Sequence, residues 1–244
     1  MEIPKSHPRY ESLTQRHKLV KGLRDGYVTE AGLIAQGRGE AFDYLIGERT
    51  LKEAKEAERV AIALILISKN PVISVNGNTA ALVPKDIVRM ADLLNAKIEI
   101  NLFYRTIKRE KLIQRILREN GAKDVLGMGK KKSLPGLDSE RGKVDPRGIW
   151  ISDTVLVPLE DGDRTESLVK MKKNVISIDL NPLSRTSQNA TVSIVDNIVR
   201  AVPNMIKFTE EMRGLDENKL RVMVENFDNK RNLEKIVGRM RKSI

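Results

Sequence analysis

The sequence predicts an α/β protein, a parallel sheet with flanking helices, preceded by a helical N-terminal region and followed by a helical C-terminal extension. Three observations carry this. From Pro71 to about residue 200, short Val/Ile-rich runs alternate with amphipathic stretches, the pattern of βαβ crossovers in a parallel sheet. Before and after that region only helical spacing is found. The longest apolar run, Val60 to Ile67, is far short of the roughly 20 residues a membrane-spanning helix needs. The expected organisation is a single domain over residues 1–244, with 1–70 mainly helical, 71–200 the α/β core and 201–244 helical.

The elements follow in order. Tyr10 to Leu23 is an amphipathic helix with Leu13, Leu19, Val20 and Leu23 inward. A second helical stretch, Glu30 to Leu45, is interrupted by Gly37-Arg38-Gly39, because glycine is costly inside a helix. Thr50 with Glu53 reads as a capping box opening a long helix from Leu51, whose apolar second half should be buried on all sides. Strands are expected at Val72–Val75, Lys97–Phe103, Asp124–Leu126, Thr154–Leu159, Val175–Asp179 and Val192–Val195. Helices are expected at Lys85–Leu94, Lys108–Glu119 (ended by Gly121) and Arg164–Lys172, and from Asn197 onward. Gly127 to Gly148, with Lys130-Lys131-Lys132, Pro135 and Pro146, has little periodicity. It reads either as a functional loop or as a disordered surface insertion.

Composition removes several chemistries. There is no cysteine, so no disulfide framework, thiolate nucleophile or cysteine zinc site, and a reducing compartment is expected. His7 and His17 are the only imidazoles, too few for a histidine-rich metal site, and no resident metal is expected. The N-terminus lacks the apolar core of a signal peptide, so the expected location is cytoplasmic, with no membrane partner. The net charge of +11 is compatible with nucleic acid or with small polyanions, but aromatics at 4% are thin for a binder that stacks bases. Charged residues at 32% against four glutamines match the bias of heat-adapted proteins, where much charge is solvated ion-pair surface.

No P-loop, nucleophile elbow, HExxH or intact G-x-G-x-x-G is present. Two strand ends stand out instead. Val72-Ile-Ser-Val75 runs into Asn76-Gly77-Asn78-Thr79, where Gly77 permits a tight turn and Asn78 or Thr79 can cap the following helix. Such a turn is either an anion site or an ordinary capped junction. Asp179 closes an apolar strand, where an acid can accept from ribose hydroxyls, and Ser184, Arg185 and Thr186 beyond it offer hydroxyls and a guanidinium to phosphate. Asp196-Asn197 follows the next strand. Taken together, these ends look like one crevice binding a nucleotide and small phosphorylated anions.

Four stretches, Ile3–Leu13 (IPKSHPRYESL), Thr29–Glu40 (TEAGLIAQGRGE), Asn76–Leu82 (NGNTAAL) and Asp179–Ser187 (DLNPLSRTS), resemble the archaeal phosphopantothenate synthetase family, also called 4-phosphopantoate–β-alanine ligase. The resemblance covers nearly the whole chain without departure in these motifs. It implies a Rossmann-like homodimer that condenses (R)-4-phosphopantoate with β-alanine in coenzyme A biosynthesis. ATP and Mg²⁺ would be used, and AMP and diphosphate released, through an acyl-adenylate. It places ATP on Arg16, Arg38, Asp179, Leu180, Asn181, Arg185, Thr186, Asn197 and Ile198. Asp179 and Arg185 agree with the strand-end reading, whereas Arg16 and Arg38 rest on the resemblance alone. With ATP so placed, Asn76, Gly77, Asn78 and Thr79 are left for the phosphate of 4-phosphopantoate. Adenylation needs cationic and N–H stabilisation rather than a protein nucleophile, so the missing cysteine and triad are no obstacle. A nucleotide-dependent oxidoreductase and a basic RNA-associated protein are the competing readings. The first is weakened by the absent glycine fingerprint, the second by the few aromatics.

Overall fold

The computed structural model describes residues 3–159 and 161–242. Three helices lead: α1 (Tyr10–Asp25), α2 (Glu30–Leu45) and α3 (Lys52–Leu66). The first half of the core is β1 (Pro71–Val75), α4 (Gly77–Leu82), α5 (Pro84–Leu94), β2 (Lys97–Ile100), α6 (Ile107–Glu119) and β3 (Val125–Leu126). A small antiparallel pair, β4 (Lys132–Ser133) and β5 (Lys143–Val144), bridges to the second half. That half is β6 (Thr154–Pro158), α7 (Gly162–Lys170), β7 (Asn174–Ile178), α8 (Arg185–Asn189) and β8 (Val192–Ile194). The chain closes with α9 (Ile198–Met212), α10 (Glu217–Glu225) and α11 (Asn229–Lys242).

The main sheet has six strands in the order β3-β2-β1-β6-β7-β8, every pairing parallel. Two wound halves therefore meet back to back, as in a Rossmann-like sheet, and the winding reverses between β1 and β6. Just outside the carboxyl ends of those strands such sheets leave a crevice. Alternation sorts the strands: Ile73, Val75, Ile98, Ile100, Leu156, Ile176 and Ile178 join the main core, to which α3, α5 and α9 contribute. Val72, Val155, Val157 and Val175 lie in a second core with Leu168 of α7.

Leu134, Val144 and Ile149 complete that second core, so the Gly127–Gly148 stretch is no disordered insertion. Glu99 of β2, fully buried, accepts from the backbone N–H of Asp145 (2.9 Å) and Ile149 (2.7 Å) and fastens its far end. Two other sequence expectations change. Helix α2 runs unbroken through Gly37-Arg38-Gly39; Thr29 caps it, accepting from Gly32 N, and Arg16 ties it to α1 through Glu40, which offsets the glycine penalty of about 1 kcal/mol per residue. The capping box does not form, because Thr50 donates to Asp196 (2.6 Å) and Glu53 pairs with Arg239 (2.9 Å), leaving Leu51 at the N-cap of α3.

The apolar half of α3 is buried all round, and Glu58 is buried with it. Burial first, and nearby Asp196 second, push its pKa from 4.5 up to about 9. Between those values the folded protein keeps a proton that the unfolded chain has lost, so this group's contribution to stability declines as pH rises through that window and is level outside it. Glu58→Gln, neutral at every pH, should therefore fold as well as the parent near pH 5 and be the more stable of the two near pH 9. Urea midpoints across that range check this, and parallel curves for the two proteins would refute it.

Candidate active site at the reversal of the sheet

Asn76, directly after β1, organises the site. Its Oδ1 accepts from the backbone N–H (3.0 Å) and hydroxyl (3.1 Å) of Thr79, capping α4. Its Nδ2 donates to the carbonyls of Pro158 (3.0 Å) and Leu159 (3.1 Å) at the end of β6. A side-chain amide is suited to accept at a helix start and donate twice across a sheet. Asn76, rather than Asn78 or Thr79, is thus the cap. Asn78 donates instead to the Gly32 carbonyl of α2 (2.8 Å). Gly77 is explained by packing: a Cβ there would run into the Tyr27 carbonyl oxygen in the α1–α2 turn. The close approach it permits on that side is made by this protein's own backbone, while Gly77 also lines the first lobe.

In front of this clamp lie two lobes, of about 330 and 300 Å³, sharing the wall formed by Ala35, Arg38, Asn78, Leu159 and Asp161. The second lobe gathers Arg38, Asp179, Leu180, Asn181, Arg185 and Thr186. Asp179 accepts from the Asn181 N–H (3.0 Å) and the Ser184 hydroxyl (2.6 Å). Burial raises its pKa, partly opposed by those bonds and by the charge of Arg38. Arg38 makes no hydrogen bond or ion pair among the described residues and so presents a free guanidinium. Arg185 starts α8 and is held at the rim by Asp163 and Glu166, both at 2.8 Å, which raise its pKa.

Arg16, Asn197 and Ile198 stand apart from this gathering. Arg16 is paired with Glu40 (2.8 Å), and the Asn197 amide donates to Gln15 (3.0 Å) and Asp43 (2.9 Å). Ile198 is a core residue. Arg16 and Asn197 line a small adjoining cleft that meets the second lobe at Gln36.

The first lobe holds two residues that sequence reasoning missed. Arg109, in the first turn of α6, donates to the Tyr27 carbonyl (3.0 and 3.3 Å) and to that of Tyr104. Arg141, on the 3-10 turn Glu140–Gly142, pairs with Asp161 (2.9 Å) and lies over the Phe103 ring. Burial, and then the charge of Arg141, lower the Arg109 pKa. Two guanidiniums that repel each other across a cavity are relieved by an anion between them. Arg109 was hidden in the basic run Lys108-Arg109-Glu110-Lys111, and only the Thr106 cap that opens α6 could have singled it out. Arg141 had no periodic context at all.

Gly77→Ala should destabilise by about 1–3 kcal/mol, the overpacking range. It should do so with or without substrates present, and the denaturation midpoint measures it. An unchanged midpoint would show that the Tyr27 turn moves aside.

The chain was compared with known proteins. The sequence profile described as phosphopantothenate/pantothenate synthetase matches residues 53–243. The chain is 54% identical over 242 residues to a 4-phosphopantoate–β-alanine ligase of Thermococcus onnurineus and 53% identical over 242 residues to one of Thermococcus kodakarensis, each match covering 99% of this chain and 93% of the relative. A ligase of the same name from Methanosarcina mazei is 52% identical over 243 residues, covering 100% and 96%. With matches of this extent, the chain belongs to the phosphopantothenate/pantothenate synthetase family.

Proposed function

We propose that this protein condenses (R)-4-phosphopantoate with β-alanine, consuming ATP and releasing 4′-phosphopantothenate, AMP and diphosphate, in coenzyme A biosynthesis. Relatives named 4-phosphopantoate–β-alanine ligase support the joining of these two substrates. The carrying observation in this chain is a single crevice with two differently built lobes, one suited to a nucleotide and one to a phosphorylated acid. Neither an oxidoreductase nor an RNA-associated protein gains support from them.

ATP occupies the second lobe in this reading. Asp179 accepts from the ribose, Leu180 and Asn181 flank it, and Arg38, Arg185 and Thr186 meet the phosphates. Contact with Arg16 and Asn197-Ile198 requires Arg16 to exchange Glu40 for a phosphate oxygen, and α1 and α2 to close on the nucleotide. Among the described residues no cluster of His or carboxylate groups forms a dedicated metal site. The donors present, Asp161 and Asn181, suit Mg²⁺ that keeps most of its ligands as phosphate and water oxygens. Bound there, it would neutralise phosphoryl charge.

The phosphate of 4-phosphopantoate sits in the first lobe between Arg109 and Arg141. Asn76, Gly77 and Asn78 line that lobe, while Thr79 stands behind them and donates to Asn76. The acid's carboxylate then points towards the shared wall, where its oxygen attacks the α-phosphorus of ATP and diphosphate leaves. The amine of β-alanine next attacks the acyl carbon of the adenylate; AMP departs and the amine loses a proton. The chain's residues hold and neutralise, and none forms a bond to substrate. The functional unit is a homodimer in this reading, since Ile34 and Tyr44 stand exposed on α2 as apolar area a second copy would cover. No described helix is long and apolar enough to cross a membrane, and a cytoplasmic location accords with the small soluble substrates.

Incubation with ATP, Mg²⁺, 4-phosphopantoate and β-alanine should yield AMP and diphosphate in step with phosphopantothenate; ADP in their place would overturn the adenylate. Asp179→Ala and Arg185→Ala should raise the KM for ATP, while Arg141→Ala should raise that for 4-phosphopantoate about tenfold or more and leave ATP nearly untouched. Steady-state kinetics of the three variants separate the lobes, and exchanged effects would reverse the assignment.

A further inference from the structure

Arg141 reaches the first lobe from a single 3-10 turn, Glu140–Gly142, with no helix or long strand behind it. Its neighbour across the lobe, Arg109, repels it. Asp161 holds the Arg141 side chain (2.9 Å), and the backbone that carries it must be held as well if both guanidiniums are to face one lobe before an anion arrives. The candidate is Arg105, in the turn between β2 and α6, whose side chain is only 6% exposed.

Arg105 Nη2 donates to the carbonyls of Lys143 (2.9 Å) and Glu140 (3.4 Å), on either side of Arg141. Nη1 donates to Glu110 Oε1 at 2.6 Å. Glu110, 4% exposed, also receives Lys131 Nζ (3.1 Å) from the start of the same segment. Asn101, fully buried at the end of β2, adds bonds from Nδ2 to the carbonyls of Arg141 and Lys143, both 3.2 Å. Glu110 adjoins Arg109 in α6. One turn of that helix therefore offers a guanidinium to the lobe and, through Glu110 and Arg105, grips the backbone beside the opposing guanidinium. A buried guanidinium is costly to desolvate, and its planar fork fixes direction as a lysine ammonium would not.

We infer that Arg105 is a positioning residue for phosphate recognition: it holds Arg141 opposite Arg109 without lining the lobe itself. The inference rests on the reading that Arg141 contacts the substrate phosphate. Preorganised charge of this sort spares the reorganisation that a mobile arginine would undergo on binding.

The test compares Arg105→Met, Arg105→Lys, Arg141→Ala and the Arg105→Met/Arg141→Ala double variant, using 4-phosphopantoate and unphosphorylated pantoate as paired probes. Arg105→Met should raise the KM for 4-phosphopantoate about tenfold, with the KM for ATP within about twofold and the weak reaction of pantoate unaltered. Arg105→Lys should restore part of the loss, and the double variant should be no worse than Arg141→Ala alone. Losses that multiply in the double variant would overturn the inference, because Arg105 would then act independently of Arg141. A lowered melting temperature with the KM for 4-phosphopantoate unchanged would overturn it too. If Arg105→Met does not fold, Arg105→Lys and Glu110→Gln carry the test, and an undiminished preference for the phosphorylated acid in both refutes the role. A normal KM for 4-phosphopantoate in Arg141→Ala would instead remove the phosphate assignment, and the inference with it.

Discussion

The site depends on one side chain, the amide of Asn76. A parallel sheet wound from two halves opens a crevice where the winding reverses, because the connections on either side lead away from each other. Asn76 spans that reversal from one strand end to the next, donating to the carbonyls of Pro158 and Leu159 while its oxygen holds the first turn of α4. These bonds are partly buried, and leaving a buried donor or acceptor unmade costs more than the bond contributes when formed. The crevice opens immediately in front of them, so both lobes inherit their positions from this junction.

Charge is distributed around that junction by burial. The second lobe pairs a buried acid, Asp179, with Arg38, which has no partner among the described residues, and leaves Arg185 at the rim among carboxylates. The first lobe takes a guanidinium from each side: Arg109 is tethered through main-chain carbonyls, which hold an arginine without cancelling its charge, while Arg141 is paired with Asp161. The net charge of +11 said only that anions are welcome. The structure locates the few cations aimed inward among many that are merely solvated.

The sheet was legible because its signal is repetitive: each Val/Ile run marks a strand and each amphipathic stretch a crossover. Asp179, Arg185 and the Asn76–Thr79 turn were legible because strand ends are punctuated by polar and turn-forming residues. What escaped were residues whose meaning depends on long-range contacts. Glu99 looks like one polar residue in the short strand Lys97-Ile-Glu-Ile100, yet it anchors a segment almost fifty positions away. Thr50 and Glu53 have the spacing of a capping box, but each is drawn to a partner from the C-terminal half, Asp196 and Arg239. Glycines at 37 and 39 argued for a break that tertiary ties prevent. Local rules failed at these places because contacts from elsewhere in the chain decided the outcome.

Helix α2 forms one wall of both lobes through Ala35 and Arg38, and among its sixteen residues only Asp43 is buried. Its attachments are largely polar: Glu40 to Arg16, the Gly32 carbonyl to Asn78, and Asp43 to Asn197 and Arg200. Its apolar anchorage is limited to the half-buried Leu33, Phe42 and Leu45, so its detachment lies below global unfolding on the free-energy scale. The crevice thus joins a rigid floor to a wall on a shallow energy gradient. Amide exchange in α2 would outrun that of the strands beneath it, and the passage of a nucleotide would not require the sheet to yield.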